Sequence, residues 1–299
     1  MDSPHLQAVL KSIRPPFLLL TPVCIFLAYA LAHATTPKMD YVELILILLG
    51  ALAAHISVNT FNEFSDYRSG LDMVTSKTPF SGGSGALLAN PRAQYAVLTI
   101  ASLSMALTIL IGLYFTYHYG LAVLAIGVVG VLIVLTYTSW INRHAWLCLI
   151  APGLGFGPLM VLGCYFILTG DISTRAIWIS LLPFFLVNNL LLLNQYPDIQ
   201  ADKSVGRYHF PIAYGLRRSN LVYLVFTLAS CLVVVVGVMV GFLPRAGYVA
   251  LIPLAIALIR VPGIYKYAGE INKLLPYLGI NVLVTLMTPL LLGVTLLWN

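Results

Sequence analysis

Residues 42–72 read VELILILLGALAAHISVNTFNEFSDYRSGLD. A run of mostly apolar residues, 42–61, passes without a break into Asn62, Glu63, Asp66, Arg68 and Asp72. A helix needs about 20 such residues to cross a bilayer. Hydrocarbon offers no partner to an open backbone group, so a run of this kind is expected to be continuous helix. Eight further stretches have the same character: 17–33, 94–116, 119–139, 146–169, 176–196, 219–242, 247–264 and 276–298. The chain is 60% hydrophobic and 9% charged, with a mean hydropathy of +0.94. Soluble domains carry about 25% charged residues. The expectation is an all-α, polytopic membrane protein, a single nine-helix bundle over residues 1–299. The first apolar stretch is read as a true span, not a removed leader, because so many others follow it.

The net charge of +6 raises nucleic acid as a partner. The basic residues are scattered between apolar runs and form no stripe, so no nucleic-acid binding is expected. They report orientation instead. With the N-terminus cytoplasmic, the cytoplasmic segments hold thirteen Lys and Arg, from Lys11 and Arg14 to Lys266 and Lys273, while the other face holds Lys38, Arg175 and Arg245. That is a positive-inside distribution. It predicts an inner-membrane, multi-pass protein whose two long polar connections, about 62–92 and 197–218, face the cytoplasm. The cysteines (Cys24, Cys148, Cys164, Cys231) lie in apolar runs without CxxC spacing and read as small buried hydrophobes.

Five of the ten acidic residues fall in two clusters that open those connections. The first holds Asn59, Asn62, Glu63, Asp66 and Asp72; the second holds Asn194, Asp198, Asp202 and Lys203. A carboxylate at a membrane helix end is costly unless it has a function. Residues four apart share a helix face, so Asn62 and Asp66 are expected to point together, and Asn194, Asp198 and Asp202 to form a second stripe. Carboxylate and amide oxygens suit Mg²⁺, which takes one or two carboxylates and leaves other positions to water and substrate phosphate. The expected metal ligands are Asn62, Asp66, Asp72, Asn194, Asp198 and Asp202, with Arg68, Lys77, Lys203 and Arg207 neutralising phosphate oxygens. The Ser81–Gly85 stretch, SGGSG, is expected to offer backbone N–H groups, although it lacks the GK[ST] ending of a P-loop. Arg14, His55, Asn59 and Tyr137 are further candidates for substrate contact, with Tyr165 and Tyr196 as aromatic candidates by type. Asp66 to Pro79 and Asp198 to Pro211 span equal offsets, which suggests two copies of one unit facing a cavity.

At these residues the chain resembles the UbiA superfamily of intramembrane prenyltransferases. The family's first motif, N-x3-D-x3–5-D, is matched by Asn62, Asp66 and Asp72, and its second, D-x3-D, by Asp198 and Asp202. The resemblance implies an isoprenyl diphosphate bound through Mg²⁺ in a lipid-open cavity, with Asp66, Asp72, Asp198 and Asp202 catalytic and an aromatic acceptor alkylated by an allylic cation. Within the family, His55-x3-Asn59-x2-Asn62-x3-Asp66-x3-Gly70-x-Asp72 is most similar to enzymes that prenylate 1,4-dihydroxy-2-naphthoate. Glu63, where the family often has Asp, and the segment from Lys77 to Gly85 depart from that pattern, and leave 4-hydroxybenzoate, homogentisate, chlorophyllide, haem or a glyceryl-phosphate lipid open as acceptors. A secondary transporter is the rival of another class. It would place its acids at the midplane, not at helix ends.

Overall fold

The computed structural model describes residues 3–36 and 40–298; Lys38 lies outside them. Among the described residues there are helices and turns and no strand. Ten helices carry the architecture: α1 (Ser3–Ile13), α2 (Leu20–His33), α3 (Tyr41–Ser69), α4 (Gln94–Tyr119), α5 (Leu121–Thr136), α6 (Ala145–Thr169), α7 (Thr174–Asn194), α8 (Phe210–Met239), α9 (Leu251–Tyr267) and α10 (Ile271–Leu297). Among the described residues, eight helical stretches are long and apolar enough to cross a membrane, counting Pro4–His33 as one. The ninth expected span, 119–139, corresponds to α5, which has only 16 residues. At 1.5 Å per residue that is about 24 Å, short of a ~30 Å hydrocarbon core.

The pairs α3–α4, α7–α8, α2–α10, α9–α10 and α6–α7 pack along much of their lengths. The α6–α7 pair approaches closely because α6 carries glycine at the contact. A Cβ on Gly157 would lie 2.5 Å from the Ser180 carbonyl oxygen. Small residues let membrane helices pack backbone to backbone. Between α7, α8 and α10 the interior is polar: Asn189 Nδ2 donates to Tyr223 O and Thr227 Oγ1 at 3.0 Å, and Tyr223 Oη donates to Asn281 Oδ1 at 3.2 Å. These bonds fix the α7 register, and α7 carries Asn194 at its end.

Helix ends explain where the acidic clusters sit. Asp40 caps α3, its Oδ1 accepting from Val42 N at 2.8 Å. The helix then runs 29 residues and stops at Gly70, whose φ of 77° is left-handed. Glycine adopts that conformation without a Cβ penalty. The first cluster is therefore the last turns of a long helix, with Asp72 on a one-turn helix beyond the break.

The second cluster is built differently. Residues 195–198 form a turn, and a new short helix, Ile199–Ser204, begins after Asp198. Pro197 has no N–H to donate and biases Tyr196 away from helix. The expected single stripe of Asn194, Asp198 and Asp202 is thus broken. Only Asp198 and Asp202 remain one turn apart, with Asp202 N donating to Asp198 O at 2.8 Å. The equal offsets to the two prolines likewise have no common local structure: Pro79 lies in an irregular loop, whereas Pro211 sits in the first turn of α8. That helix starts at Phe210, not at 219, and is interrupted at Gly215 (φ 77°, ψ 166°).

Candidate active site

Both clusters open onto one cavity of ≈ 200 Å³. From α3 come His55, Asn59, Asn62 and Asp66, a stripe at spacings of four, three and four. Asp72 follows from beyond Gly70, and Asn194, Asp198, Asp202 and Arg207 face them from the α7–α8 connection. Arg14 and Tyr137 also line the cavity, while Phe17, Leu20, Phe156, Leu190 and Leu191 supply apolar wall. The other expected contacts lie elsewhere. Arg68, Lys77 and Lys203 are exposed and outside the lining. Tyr165 is packed in the apolar core, and Tyr196 is buried with its hydroxyl donating to Asn220 Oδ1 at 2.8 Å.

Arg207 joins the two motifs. Its Nη1 donates to Asp202 Oδ1 at 2.8 Å, and its Nη2 donates to Asp66 Oδ1. Burial alone would lower the guanidinium's pKa. The carboxylates of Asp66 and Asp202 outweigh that effect and raise it. His209 Nε2 lies 3.0 Å from Asp202 Oδ2, so Asp202 is held from both sides. Burial acts on Asp72 and Asp198 as well. Burial pushes Asp72 up to about 7, reinforced by Glu63 and Asp66, and burial with Asp202 nearby pushes Asp198 to about 7. Nearby cations, Lys77 and Arg14 for Asp72 and Arg207 for Asp198, offset only part of that effect, and among the described residues neither carboxyl makes a direct ion pair.

The glycine-rich loop does not present its N–H groups freely. Gly82 N donates to Asp198 Oδ2 at 3.1 Å. Ser84 N donates to Glu63 Oε2 at 3.0 Å, Ser84 Oγ to Glu63 Oε1 at 2.5 Å, and Ala86 N to Glu63 Oε1 at 3.2 Å. Gly82 and Gly83 have φ of 82° and 70°, and a Cβ on Gly83 would lie 2.9 Å from Asp72 Oδ1. The loop is therefore stitched across both motifs, and only glycine fits where it passes Asp72.

Glu63 is the residue that sequence reasoning undervalued. It is fully buried and also accepts from Arg14 Nη2 at 3.2 Å. Arg14 is the single non-glycine residue with positive φ (55°) among the described residues. Such a conformation is strained by about 1–3 kcal/mol and persists only where its surroundings enforce it. Here Asn59 Nδ2 donates to Ile13 O at 3.0 Å and Glu63 holds the guanidinium. His55 is tied to Thr21 Oγ1 at 2.9 Å and meets Phe156 edge-on at 5.1 Å. Phe156 reaches it from an eight-residue π-helical segment of α6, Gly155–Leu162, with Pro158 inside. Asn142, Gln195, Cys148 and His209 also line the cavity without having been anticipated. Cys148 is more than an apolar filler, since Gln195 Nε2 lies 3.3 Å from its Sγ. Polar residues next to Trp140 or Tyr208 gave no period or motif by which to single them out.

Whether the site suits a divalent cation can be tested on its own atoms. Among the described residues no three or more His, Cys, Asp or Glu side chains are gathered as a metal cluster. Yet Asp72 Oδ2, Asp198 Oδ1, Asn194 Oδ1 and Asn142 Oδ1 are buried oxygens with no hydrogen-bond partner. Buried acceptors are rarely left so. All four belong to residues lining this one cavity, and hard oxygens are what Mg²⁺ takes. These oxygens fit a divalent cation of that kind.

A curated 1,4-dihydroxy-2-naphthoate octaprenyltransferase of Bacillus subtilis (strain 168) is 29% identical over 68% of this chain; the match spans 64% of that relative's length. The enzyme of the same name from Haemophilus influenzae is 22% identical over 96% of this chain and 94% of its own. A solved UbiA homologue from Archaeoglobus fulgidus, bound to DMAPP and Mg²⁺, superimposes with a TM-score of 0.67 at 16% identity, covering 97% of this chain and 99% of that one. At that identity the likeness establishes the fold. The family profile described as "UbiA prenyltransferase family" matches residues 19–270, and the chain belongs to that family.

Proposed function

We propose that this protein transfers a prenyl group from an isoprenyl diphosphate to an aromatic acceptor in the membrane, a quinone precursor of the 1,4-dihydroxy-2-naphthoate type. The observation that carries the reading is the meeting of both Asn/Asp motifs, with unpartnered oxygens, at a cavity whose other wall is apolar. The relatives' printed names support the naphthoate acceptor, and the Archaeoglobus homologue's ligands support diphosphate and Mg²⁺.

Asn62, Asp66, Asp72, Asn194, Asp198 and Asp202 would hold Mg²⁺, which when bound supplies the charge that lets diphosphate depart. Arg207 and Arg14, fixed by Asp66, Asp202 and Glu63, face the diphosphate oxygens as negative charge builds on them. The allylic C–O bond breaks with its electron pair moving to the diphosphate. Phe17, Leu20, Phe156, Leu190 and Leu191 keep water from the resulting cation. A ring carbon of the acceptor gives its pair to the prenyl C1 and regains aromaticity by losing its substituent, as H⁺ or CO₂. His55, Asn59 and Tyr137 lie on the cavity wall where an acceptor could be oriented. The Lys/Arg distribution supports a cytoplasmic active-site face.

The test uses purified protein, Mg²⁺, radiolabelled geranylgeranyl diphosphate and a panel of acceptors, with the lipid products separated. A prenylated naphthoate product that disappears with EDTA is expected. Asp66→Ala and Asp198→Ala should each abolish turnover in protein that still inserts. Wild-type activity in either variant would overturn the metal assignment, and a product with a different acceptor alone would overturn the naphthoate reading.

A further inference from the structure

A second groove of ≈ 390 Å³ lies between α9 and α10, lined by Arg260, Tyr267, Lys273, Pro276, Tyr277 and Ile280. It shares no residue with the cavity of the acid motifs. It opens at the same end of the bundle. Phe80, which lines the cavity, lies against Gly279 of α10, where a Cβ would sit 3.3 Å from Phe80 Cζ.

Arg260 is the anomaly. It is exposed, it lies seven residues before the end of α9, and among the described residues it makes no ion pair or hydrogen bond. Seven residues are about 10 Å of helix. An unpaired guanidinium at the bilayer centre costs roughly 2.5–3.5 kcal/mol or more, and near a helix end it reaches for the interface. The other groove cation is already neutralised, Lys273 Nζ lying 2.6 Å from Glu270 Oε2. The uncompensated positive charge within the groove is therefore that of Arg260.

The rest of the groove has two kinds of wall. At the rim, the Tyr267 and Tyr277 rings meet tilted at 44°, their centroids 6.0 Å apart, and Lys266 and Lys273 lie over the Tyr267 ring at 5.2 and 5.5 Å. Tyrosine and lysine are residues of the membrane–water interface. Gly263 leaves the space that the Tyr277 phenol fills. Deeper, the same helix faces turn apolar. Ile256 precedes Arg260 by one turn on α9, while Leu283 and Met287 continue the stripe of Pro276 and Ile280 on α10, and all three are exposed. A lone cation below an aromatic rim, with an apolar lane leading into the bilayer, is complementary to a molecule with an anionic head and a hydrocarbon tail.

We propose that the α9–α10 groove is a binding site for an anionic phospholipid. Its phosphate lies against the Arg260 guanidinium and one acyl chain lies along Ile256, Ile280 and Leu283. Arg–phosphate recognition is charge-assisted and geometrically specific, so headgroup charge decides occupancy more than chain chemistry does. The site is independent of the prenyl-transfer reading.

The test is native mass spectrometry of the full chain released from micelles holding equal amounts of phosphatidylglycerol and phosphatidylcholine with identical chains. The wild type is expected to retain phosphatidylglycerol about tenfold over phosphatidylcholine, the ratio that ~1.4 kcal/mol provides. Arg260→Gln should bring the ratio close to one. Lys273→Glu, at a solvent-exposed position, gives a second variant expected to lower it should Arg260→Gln not insert. No preference in the wild type, or an undiminished one in either inserted variant, overturns the proposal. Displacement of the lipid by millimolar inorganic phosphate would make this a free-phosphate site, and displacement by geranyl diphosphate would make it a prenyl-donor site; either result also overturns it.

Discussion

Replacing Glu63 separates an anchor from a metal ligand. The carboxylate is fully buried and accepts four hydrogen bonds, two on each oxygen: Ser84 Oγ and Ala86 N on Oε1, Ser84 N and Arg14 Nη2 on Oε2. In Glu63→Ala all four are lost at once. Ala86 N keeps Ser84 Oγ at 3.1 Å, but Ser84 N and the Arg14 guanidinium lose their acceptor. Breaking a buried ion pair from one side costs about 3–5 kcal/mol, and that is the loss expected here.

Glu63→Gln should behave differently. The amide oxygen can take the Oε2 place and still accept from Ser84 N and Arg14. The amide NH₂ then points at Ser84 Oγ, whose hydroxyl can rotate to accept. The charge assistance is lost and so is the Ala86 N bond to Oε1, leaving Ala86 N with Ser84 Oγ alone; together this costs about 1–3 kcal/mol, less than the loss in Glu63→Ala. The assay is thermal unfolding in detergent, with limited proteolysis of the 75–85 loop and prenyl transfer measured on the same samples. The expected order is wild type, then Gln, then Ala, for stability, loop protection and activity together. If Gln matched the wild type in stability and loop protection yet lost Mg²⁺-dependent transfer as fully as Ala, Glu63 would be acting on the ion and the anchoring argument would fail. Stability of Glu63→Ala within about 1 kcal/mol of wild type would refute it as well.

Three further outcomes follow from the same geometry. Asp72 and Asp198 are pushed up to about 7, so in the absence of metal the fold disfavours their charged forms and gains stability as pH falls from about 7 toward the usual carboxylate range. Because Mg²⁺ needs them ionised, its half-saturating concentration should rise about 10–100-fold per pH unit well below that point; a pH-independent value between about 8 and 5.5 would contradict this. Gly157→Val puts side-chain atoms into the α6–α7 contact, where even a Cβ would be 2.5 Å from Ser180 O, and should destabilise by about 1–3 kcal/mol or more; an unchanged melting temperature would show that α6 can move aside. Asp171 is exposed in the α6–α7 connection, and its carboxylate accepts only from the neighbouring Ile172 N among the described residues, so Asp171→Ala should leave Mg²⁺-dependent transfer unchanged in an activity assay.

Much of this was legible along the chain. The apolar runs predicted a helical membrane bundle because hydrocarbon forces backbone pairing within each segment, and that requirement needs no tertiary information. The stripe His55, Asn59, Asn62 and Asp66 was equally local, since a helix fixes which residues share a face. The second stripe failed for a reason also written locally, Pro197, whose effect on the α7 end outweighed the regular spacing of Asn194, Asp198 and Asp202. The reading of Cys148 as plain core, and the expectation that Arg68, Lys77 and Lys203 face the cavity, had a different defect. Composition and spacing place a residue near a membrane face, not on a particular wall.

What the sequence determined by itself was therefore the class of fold and the oxygen-rich chemistry of its two motifs, because both follow from residue types and from periods shorter than one helix. What only the tertiary structure decided was the pairing. Arg207 bridges Asp66 to Asp202, 141 and five residues away along the chain, while Glu63 binds the loop at Ser84 and the guanidinium of Arg14, 49 residues earlier. The positive φ of Arg14 and the π-helical presentation of Phe156 belong with them. Each depends on groups that distant helices bring within hydrogen-bonding or packing distance, and a Coulomb or hydrogen-bond energy depends on that separation alone, not on distance along the chain.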